Sequence, residues 1–194
     1  MTRLGNIHYL RGLKPEPVIR IRGKANKITF METAEARRQK VLDKLKEWNI
    51  DYVMHEHPPL PTIEEAMKYW KDFDSTHCKN LFFRNHKGNR HYLVILECHK
   101  QMDIHGLEHQ LHQGKLSFAS EQRMERCLGT VPGSVSLFGL INDPEHQVKL
   151  YLDKDLRQAE RVTFHPNDNT ASLEISREDM YRFIQLWGGE WEEL

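Results

Sequence analysis

The sequence predicts a mixed α/β domain built around one sheet, and two observations support that fold class. At 194 residues the chain fits a single domain with at most a short appendage. Segments of helical and strand periodicity follow one another irregularly: two helices, a hairpin, two helices, four strands and a final helix. This order is not the regular strand–helix alternation of a βαβ series, so it favours a mixed domain.

The first half of the chain holds the first two helices and the hairpin. Thr33 is an N-cap residue ahead of an apolar stripe at helical spacing, which predicts a helix that stops at Asn49. A short strand at residues 52–55 follows, and a capping-box pattern at residues 62–65 starts the second helix. Two apolar runs on either side of a turn at residues 86–89 predict the hairpin.

The second half is predicted to be richer in strands. A helix begins at Asp103 and is expected to end at Gly114, because glycine favours the left-handed backbone of a helix C-cap. A short helix covers residues 121–128. Ser176 caps a final helix that ends at Gly188. Between these helices we predict four strands, at residues 135–140, 148–152, 161–165 and 171–175.

Charge is balanced over the whole chain, with 28 basic and 28 acidic residues, but not along it. Residues 1–30 carry seven basic residues against Glu16 alone. Such an asymmetry can mark a tail that meets nucleic acid. We therefore divide the chain into a basic N-terminal extension, residues 1–30, and a domain over residues 31–194.

Composition excludes several classes of protein. The three cysteines, Cys78, Cys98 and Cys127, are too scattered for a disulfide framework or a CxxC metal clip and indicate a reducing, cytoplasmic location. No stretch approaches the ~20 apolar residues that span a bilayer, so no membrane partner is expected. Histidines recur at residues 105, 109 and 112, but a solvated helix face explains them better than a metal site. We expect neither a metal nor a cofactor.

Three segments carry residues suited to catalysis, although each has an ordinary explanation when taken alone. Lys79 precedes a buried strand, where an ammonium could bind phosphate or polarise a carbonyl, but it could equally be a surface lysine. Residues 131–140 form a glycine-flanked run, which suits either tight turns or a close approach of backbone to a ligand. His165 stands beside an Asn/Asp turn, as a proton-transfer group or as a turn residue.

The three segments occur together and in order, and in that combination they resemble a known family. Residues 78–85, 132–143 and 164–171 are similar to the motif blocks of the prolyl-tRNA synthetase-associated domain, which belongs to the YbaK-type aminoacyl-tRNA deacylases. The resemblance covers roughly residues 33–186. It implies a single α+β domain with a central mixed, barrel-like sheet surrounded by helices. Leu137 stands where the family usually has proline, which predicts a reshaped pocket wall.

The resemblance also implies the residues of the site. The family's catalytic positions fall on Lys79, Asn80 and His165. Its substrate-binding positions fall on Gly133, Ser134, Ser136, Phe138, Gly139 and Asn169. We add four basic residues of the extension as candidates for tRNA binding: Arg20, Arg22, Lys24 and Lys27.

Within the family, the nearest likeness is the free-standing branch that hydrolyses alanine from misacylated tRNA(Pro). The expected partner is the acceptor end of that tRNA, with prolyl-tRNA synthetase as a further candidate; the sequence leaves the oligomeric state open. Two alternatives remain at this point. One is deacylation of another small aminoacyl-tRNA, such as cysteinyl- or seryl-tRNA, and the other is a non-catalytic module that binds tRNA or a synthetase.

Overall fold

The structure is a computed structural model that describes residues 19–22, 28–60, 65, 68, 69 and 74–194. The predicted helix that starts at the capping box of residues 62–65 falls largely outside the described residues, although Glu65, Lys68 and Tyr69 are helical. Lys24 and Lys27 of the predicted tRNA-binding set also lie outside them.

The described residues form helices and strands whose bounds are as follows. The helices are α1 (Ala34–Glu47), α2 (Ile104–Leu111), α3 (Glu121–Leu128) and α4 (Arg177–Trp187). The strands are β1 (Ile19–Arg22), β2 (Ile28–Met31), β3 (Val53–Glu56), β4 (Thr76–Arg84), β5 (His91–Glu97), β6 (Ser117–Phe118), β7 (Val148–Leu152), β8 (Arg161–Phe164), β9 (Ala171–Ser176) and β10 (Trp191–Glu193). Two 3-10 helices, Leu137–Asn142 and Lys154–Gln158, complete the list.

One mixed sheet organises the domain. Its strand order is β10-β7-β5-β4-β8-β9-β3, and β6 pairs with β4. The hairpin β4–β5 lies at its centre, with parallel partners β8 and β7 on its two sides. Strands β1 and β2 form a separate antiparallel pair. The α+β fold class predicted from the sequence is therefore confirmed.

Side-chain caps set the predicted helix starts. The Thr33 hydroxyl accepts a hydrogen bond from the backbone N–H of Ala36 at 3.1 Å, and Ser176 does the same for Asp179 at 3.0 Å. Gly188 ends α4 with a left-handed φ of 78°. The predicted end of α2 is wrong: His112, with φ of 51°, is the C-cap, two residues before Gly114. No helix within the described ranges is long and apolar enough to cross a membrane.

The two faces of β4 pack into different clusters, because successive strand residues point to opposite sides. Phe82 lies in the main core together with Phe138, Phe164 and Phe183. The ring of Phe138 meets those of Phe164 and Phe183 edge to face. Phe83 lies in a second cluster on the other side of the sheet.

The strand predicted at residues 135–140 is wrong, because that segment is the 3-10 helix Leu137–Asn142. A short apolar run does not by periodicity distinguish a strand from a helical turn. Here the Ser136 hydroxyl accepts the N–H of Phe138 at 3.1 Å and caps the turn. The side-chain amide of Asn142 then donates to the Leu128 carbonyl at 2.9 Å, which ties the segment to α3.

Candidate active site

The sheet brings the two ends of the predicted site together. Strand β4 runs parallel to β8, with Thr76 opposite Val162 and His77 opposite Thr163. Lys79 on β4 and His165, which directly follows the last residue of β8, each lie two residues beyond the pair His77–Thr163. Residues two apart on a strand share a face, so the side chains of Lys79 and His165 are expected on the face of His77 and Thr163. Lys79 lies in the middle of β4 and not before the strand, as the sequence predicted.

The Lys79 side chain is anchored without being neutralised. Its Nζ donates a hydrogen bond to the backbone carbonyl of Lys100. Lys100 itself is paired with Asp153 at 2.6 Å and Asp155 at 2.5 Å. Among the described residues, no carboxylate lies within ion-pair distance of the Lys79 ammonium. Because an ammonium has three N–H donors, two remain for a ligand.

Asn80 does not share the face of Lys79. By strand alternation its side chain lies on the side of Cys78 and Phe82, which belong to the main core. Its Nδ2 donates to the Cys78 carbonyl at 3.5 Å, while its Oδ1 is buried with no hydrogen-bond partner in the described part of the chain. The structure thus separates the two side chains that the sequence treated as a pair.

His165 is a neutral imidazole with one nitrogen committed. Its Nδ1 donates to the Ala171 carbonyl at 2.8 Å, and since a carbonyl only accepts, the proton of the neutral ring is on Nδ1 and Nε2 carries a lone pair. Burial lowers the pKa of His165 below its ordinary value, and the nearby His57 lowers it further. Among the described residues, Nε2 has no hydrogen-bond partner. The site therefore offers a basic lone pair near neutral pH.

His57 directly follows β3 and packs beside His165, and the sequence analysis did not assign it to the site. The two rings lie 5.6 Å apart between centroids. His57 Nδ1 donates to the Pro58 carbonyl at 2.9 Å, and Nε2 accepts from the buried hydroxyl of Ser172 at 2.9 Å. Because both ring nitrogens of His57 are hydrogen-bonded, its ring is held in place beside His165. The signal that could have found it is its position after a strand and before Pro58-Pro59, where a histidine is held by local backbone.

The turn after His165 is held rigidly by helix α1. Asp168 is 1% exposed; its carboxylate accepts the N–H of Thr170 at 3.0 Å and pairs with Arg38 at 3.3 Å. Arg37 donates to the Asn167 carbonyl at 3.1 Å. Asn167 has a left-handed φ of 56°, and its side-chain Oδ1 is buried with no hydrogen-bond partner among the residues that the structure describes. These bonds fix the position of His165 in the absence of substrate.

Only part of the predicted substrate-binding set is accessible. Gly133 is exposed, with φ of 82°, and a Cβ there would stand 3.5 Å from Asn169 Nδ2, so these two positions are in contact. Ser134 and Ser136 are buried, and the hydroxyl of Ser136 caps a turn. Phe138 is fully buried in the main core.

Gly139 and Leu137 have packing roles. A Cβ on Gly139 would stand 3.0 Å from Leu128 Cβ, so α3 packs where a side chain would otherwise be. Leu137 is fully buried in the main core, so its side chain faces the core, whereas the sequence predicted an effect on the pocket wall. It is the first residue of the 3-10 helix, a position that also accepts proline.

The basic extension is described only in part. Arg20 and Arg22 lie on β1, opposite Phe30 and Ile28 of β2. The described residues establish no contact between this pair of strands and His165.

Comparison with known proteins places the chain in a family. Residues 57–183 match the aminoacyl-tRNA editing domain. Prolyl-tRNA editing protein ProX of Acetoanaerobium sticklandii is 38% identical over 157 residues, which cover 81% of this chain and 96% of that protein. Prolyl-tRNA synthetase associated domain-containing protein 1 of Mus musculus is 34% identical over 137 residues, covering 69% and 80%.

A solved structure agrees on the fold. The crystal structure of a candidate trans-editing enzyme for prolyl tRNA synthetase superimposes with a TM-score of 0.63 at 20% identity, over 81% of this chain and 96% of that one. The match over residues 57–183 includes Lys79, the glycine-flanked segment and His165. This chain belongs to the aminoacyl-tRNA editing domain family.

Proposed function

We propose that this protein is a free-standing deacylase that hydrolyses alanine from misacylated tRNA(Pro). The chain is an aminoacyl-tRNA deacylase, and its substrate is an ester between an amino acid and the terminal ribose of tRNA. The observation that carries the assignment within the site is the free Nε2 of the neutral His165, on the strand next to the one that carries the uncompensated ammonium of Lys79.

The proposed chemistry is attack of water on the ester carbonyl. A proton must leave the water, negative charge develops on the carbonyl oxygen, and the ribose oxygen leaves with a proton. Lys79 supplies two N–H donors that can stabilise the developing oxyanion or hold the phosphate of the terminal adenosine. His165 Nε2 accepts a hydrogen bond from the water or from the amino group of the substrate.

The remaining predicted residues take less direct roles. Asn80 lies on the core side of β4, so we assign it to positioning the strand and not to contact with the substrate. The exposed backbone at Gly133, next to Asn169, is suited to a close approach by the aminoacyl-adenosine end. Four residues packed inside the fold shape that approach: Ser134, Ser136, Phe138 and Gly139.

Alanine specificity rests on size discrimination. A synthetase that binds a larger amino acid cannot strongly reject a smaller one, so a second site that admits only the smaller one removes the error. The name of the relative from Acetoanaerobium sticklandii, a prolyl-tRNA editing protein, supports tRNA(Pro) as the carrier. Prolyl-tRNA synthetase is the protein partner we propose for this editing step.

The decisive experiment measures release of labelled amino acid from alanyl-, cysteinyl-, seryl- and prolyl-tRNA(Pro). We expect fast release of alanine, slower release of serine or cysteine, and none of proline. Lys79→Ala is expected to reduce alanine release by about 100-fold, because one stabilising donor to the oxyanion is lost. Lys87→Ala is the matched control, since Lys87 is an exposed lysine of the β4–β5 turn.

Two results would count against the proposal. Release of none of the four amino acids would favour a binding module in place of an enzyme. Faster release of serine or cysteine than of alanine would keep the deacylase but change its substrate.

We further propose that the basic extension binds tRNA phosphates. The test replaces Arg20, Arg22, Lys24 and Lys27 with glutamine and measures tRNA affinity over a range of salt. Each lost phosphate contact should reduce the slope of log affinity against log salt by about 1. An unchanged slope would remove the extension from the tRNA-binding surface.

A further inference from the structure

Three consecutive side chains at the end of β5 converge outside the His165 site. Cys98 Sγ lies 3.2 Å from Glu97 Oε1 and 3.3 Å from His99 Nδ1. His99 Nδ1 and Glu97 Oε1 are 2.6 Å apart. A thiol, an imidazole and a carboxylate thus present one ligand atom each, all within 4.8 Å of one another.

These separations are close to those of a tetrahedral metal site. With bonds of about 2.3 Å to sulfur and about 2.0–2.2 Å to nitrogen and oxygen, tetrahedral ligands stand roughly 3.4–3.6 Å apart. Two of the three separations are already within a few tenths of an ångström of that range. Only the contact between His99 and Glu97 has to open, and both side chains have room, being 70% and 26% exposed.

The backbone fixes the sulfur while the other two ligands reach solvent. Cys98 is 5% exposed, and its N–H donates to the His77 carbonyl at 2.9 Å, across the hairpin. The His99 and Glu97 side chains lie on the solvent side of the Cys98 thiol, so an ion can reach the three ligand atoms from solvent. The ion pair that would be lost is an exposed one, and such pairs contribute little.

We propose that Glu97, Cys98 and His99 form a binding site for Zn²⁺, with water in the fourth position. Thiolate, imidazole and carboxylate are ligands that Zn²⁺ takes in proteins, and three protein ligands plus a water is a common arrangement. On binding, a sulfur–zinc bond forms and the thiol proton leaves to solvent. The next residue, Lys100, supplies the carbonyl that anchors Lys79, so the site adjoins the proposed active site without sharing its side chains.

The test uses Co²⁺ as a spectroscopic probe on the full, reduced chain without tRNA, so it does not depend on deacylation. Binding should produce a sulfur-to-cobalt charge-transfer band at one equivalent, and Zn²⁺ should displace it. Cys98→Ser should abolish the band. His99→Ala, at an exposed position, should weaken binding by about tenfold or more.

Cys127→Ser is the matched control, because Cys127 is equally buried but lies on α3, and its band should be unchanged. Circular dichroism on each variant establishes that it is folded. The proposal is overturned if the wild-type chain shows no band with excess Co²⁺. A band that persists in Cys98→Ser, or an affinity unchanged in His99→Ala, would overturn it equally.

Discussion

Two turns of this protein are built alike but differ in what they leave unused. The β4–β5 turn is organised by Asn85, 1% exposed, whose Oδ1 accepts the N–H groups of Asn89 and Arg90 at 3.1 and 3.2 Å. The turn after β8 is organised by Asp168, equally buried, which accepts the N–H of Thr170. Each turn adjoins a histidine, the buried His91 in the first and the partly buried His165 in the second.

The two histidines are both held neutral, yet only one has a free acceptor. Burial, assisted by the charge of Arg123 and then of Arg126, lowers the pKa of His91 to about 4. The Arg123 guanidinium also donates to His91 Nε2 at 2.8 Å. In His165 the corresponding Nε2 is unpaired among the described residues. A lowered histidine pKa therefore does not identify a functional site by itself; the unused lone pair does.

The largest expected effect is on the free energy of unfolding, and it distinguishes Asp168 from Asn85. Asp168→Ala should lower the free energy of unfolding by about 3 kcal/mol, because it removes a buried carboxylate that accepts from Thr170 and pairs with Arg38, although Arg38 keeps Glu56 as a partner. Asn85→Ala should cost about 1–3 kcal/mol, since it leaves only neutral donors unsatisfied. Urea unfolding at pH 7 measures both. Equal losses would show that the charge of Asp168 adds nothing to the turn.

The next effect concerns catalysis. His165→Ala should reduce deacylation of alanyl-tRNA(Pro) by about 100-fold, because a positioned proton acceptor is removed. His91→Gln keeps an acceptor for Arg123 and should retain activity within about threefold of the wild type. Single-turnover rates at saturating enzyme compare the two. A similar loss in both variants would mean that the free Nε2 of His165 is not used.

The third effect is a pH dependence of stability. The pKa of His91 is about 4 in the folded protein and 6.5 when unfolded, so between these values only the unfolded chain takes up the proton. Its contribution to stability is present above pH 6.5 and is lost as the pH falls toward 4, by about 2 kcal/mol at pH 5. The free energy of unfolding should fall less in His91→Gln than in the wild type between pH 7 and pH 5. His165, present in both proteins, cancels from that difference, so equal slopes would contradict the assignment.

Local signals predicted the starts of the described helices α1 and α4. The hydroxyl caps Thr33 and Ser176 make the bonds expected of them, because an N-cap depends on residues within one turn of the chain. The hairpin was also predicted, because its turn at residues 86–89 depends only on residues close together in the chain. The 3-10 helix at Leu137 was not, since its turn depends on a bond between Asn142 and Leu128 that periodicity cannot show.

The site residues that the resemblance assigned stay a prediction, and their contacts could not be predicted from the sequence. The pairing of β4 with β8, which brings Lys79 and His165 onto neighbouring strands, joins residues far apart in sequence. His57 was missed because its partner Ser172 is equally distant along the chain. Asn80 was paired with Lys79 as a neighbour, although neighbours on a strand point to opposite faces.

The smallest expected effect compares Gly88 of the β4–β5 turn with Gly133, which contacts Asn169 in the turn after β8. Gly133→Ala places a Cβ at φ of 82°, which should cost about 1 kcal/mol in stability. That Cβ would contact Asn169 at an ordinary 3.5 Å, so the fold is kept and only the approach to the site is obstructed. Gly88→Ala, at φ of 71°, places a Cβ 2.8 Å from Arg123 Nη2 and displaces a guanidinium that bonds Gly88 and His91, so it should cost about 2 kcal/mol. Because losses of this size leave nearly all molecules folded, any loss of deacylation reports on the site. We expect about a tenfold loss for Gly133→Ala and almost none for Gly88→Ala. If both variants lose activity equally, the backbone at Gly133 does not approach the substrate, and the two turns differ only in His165.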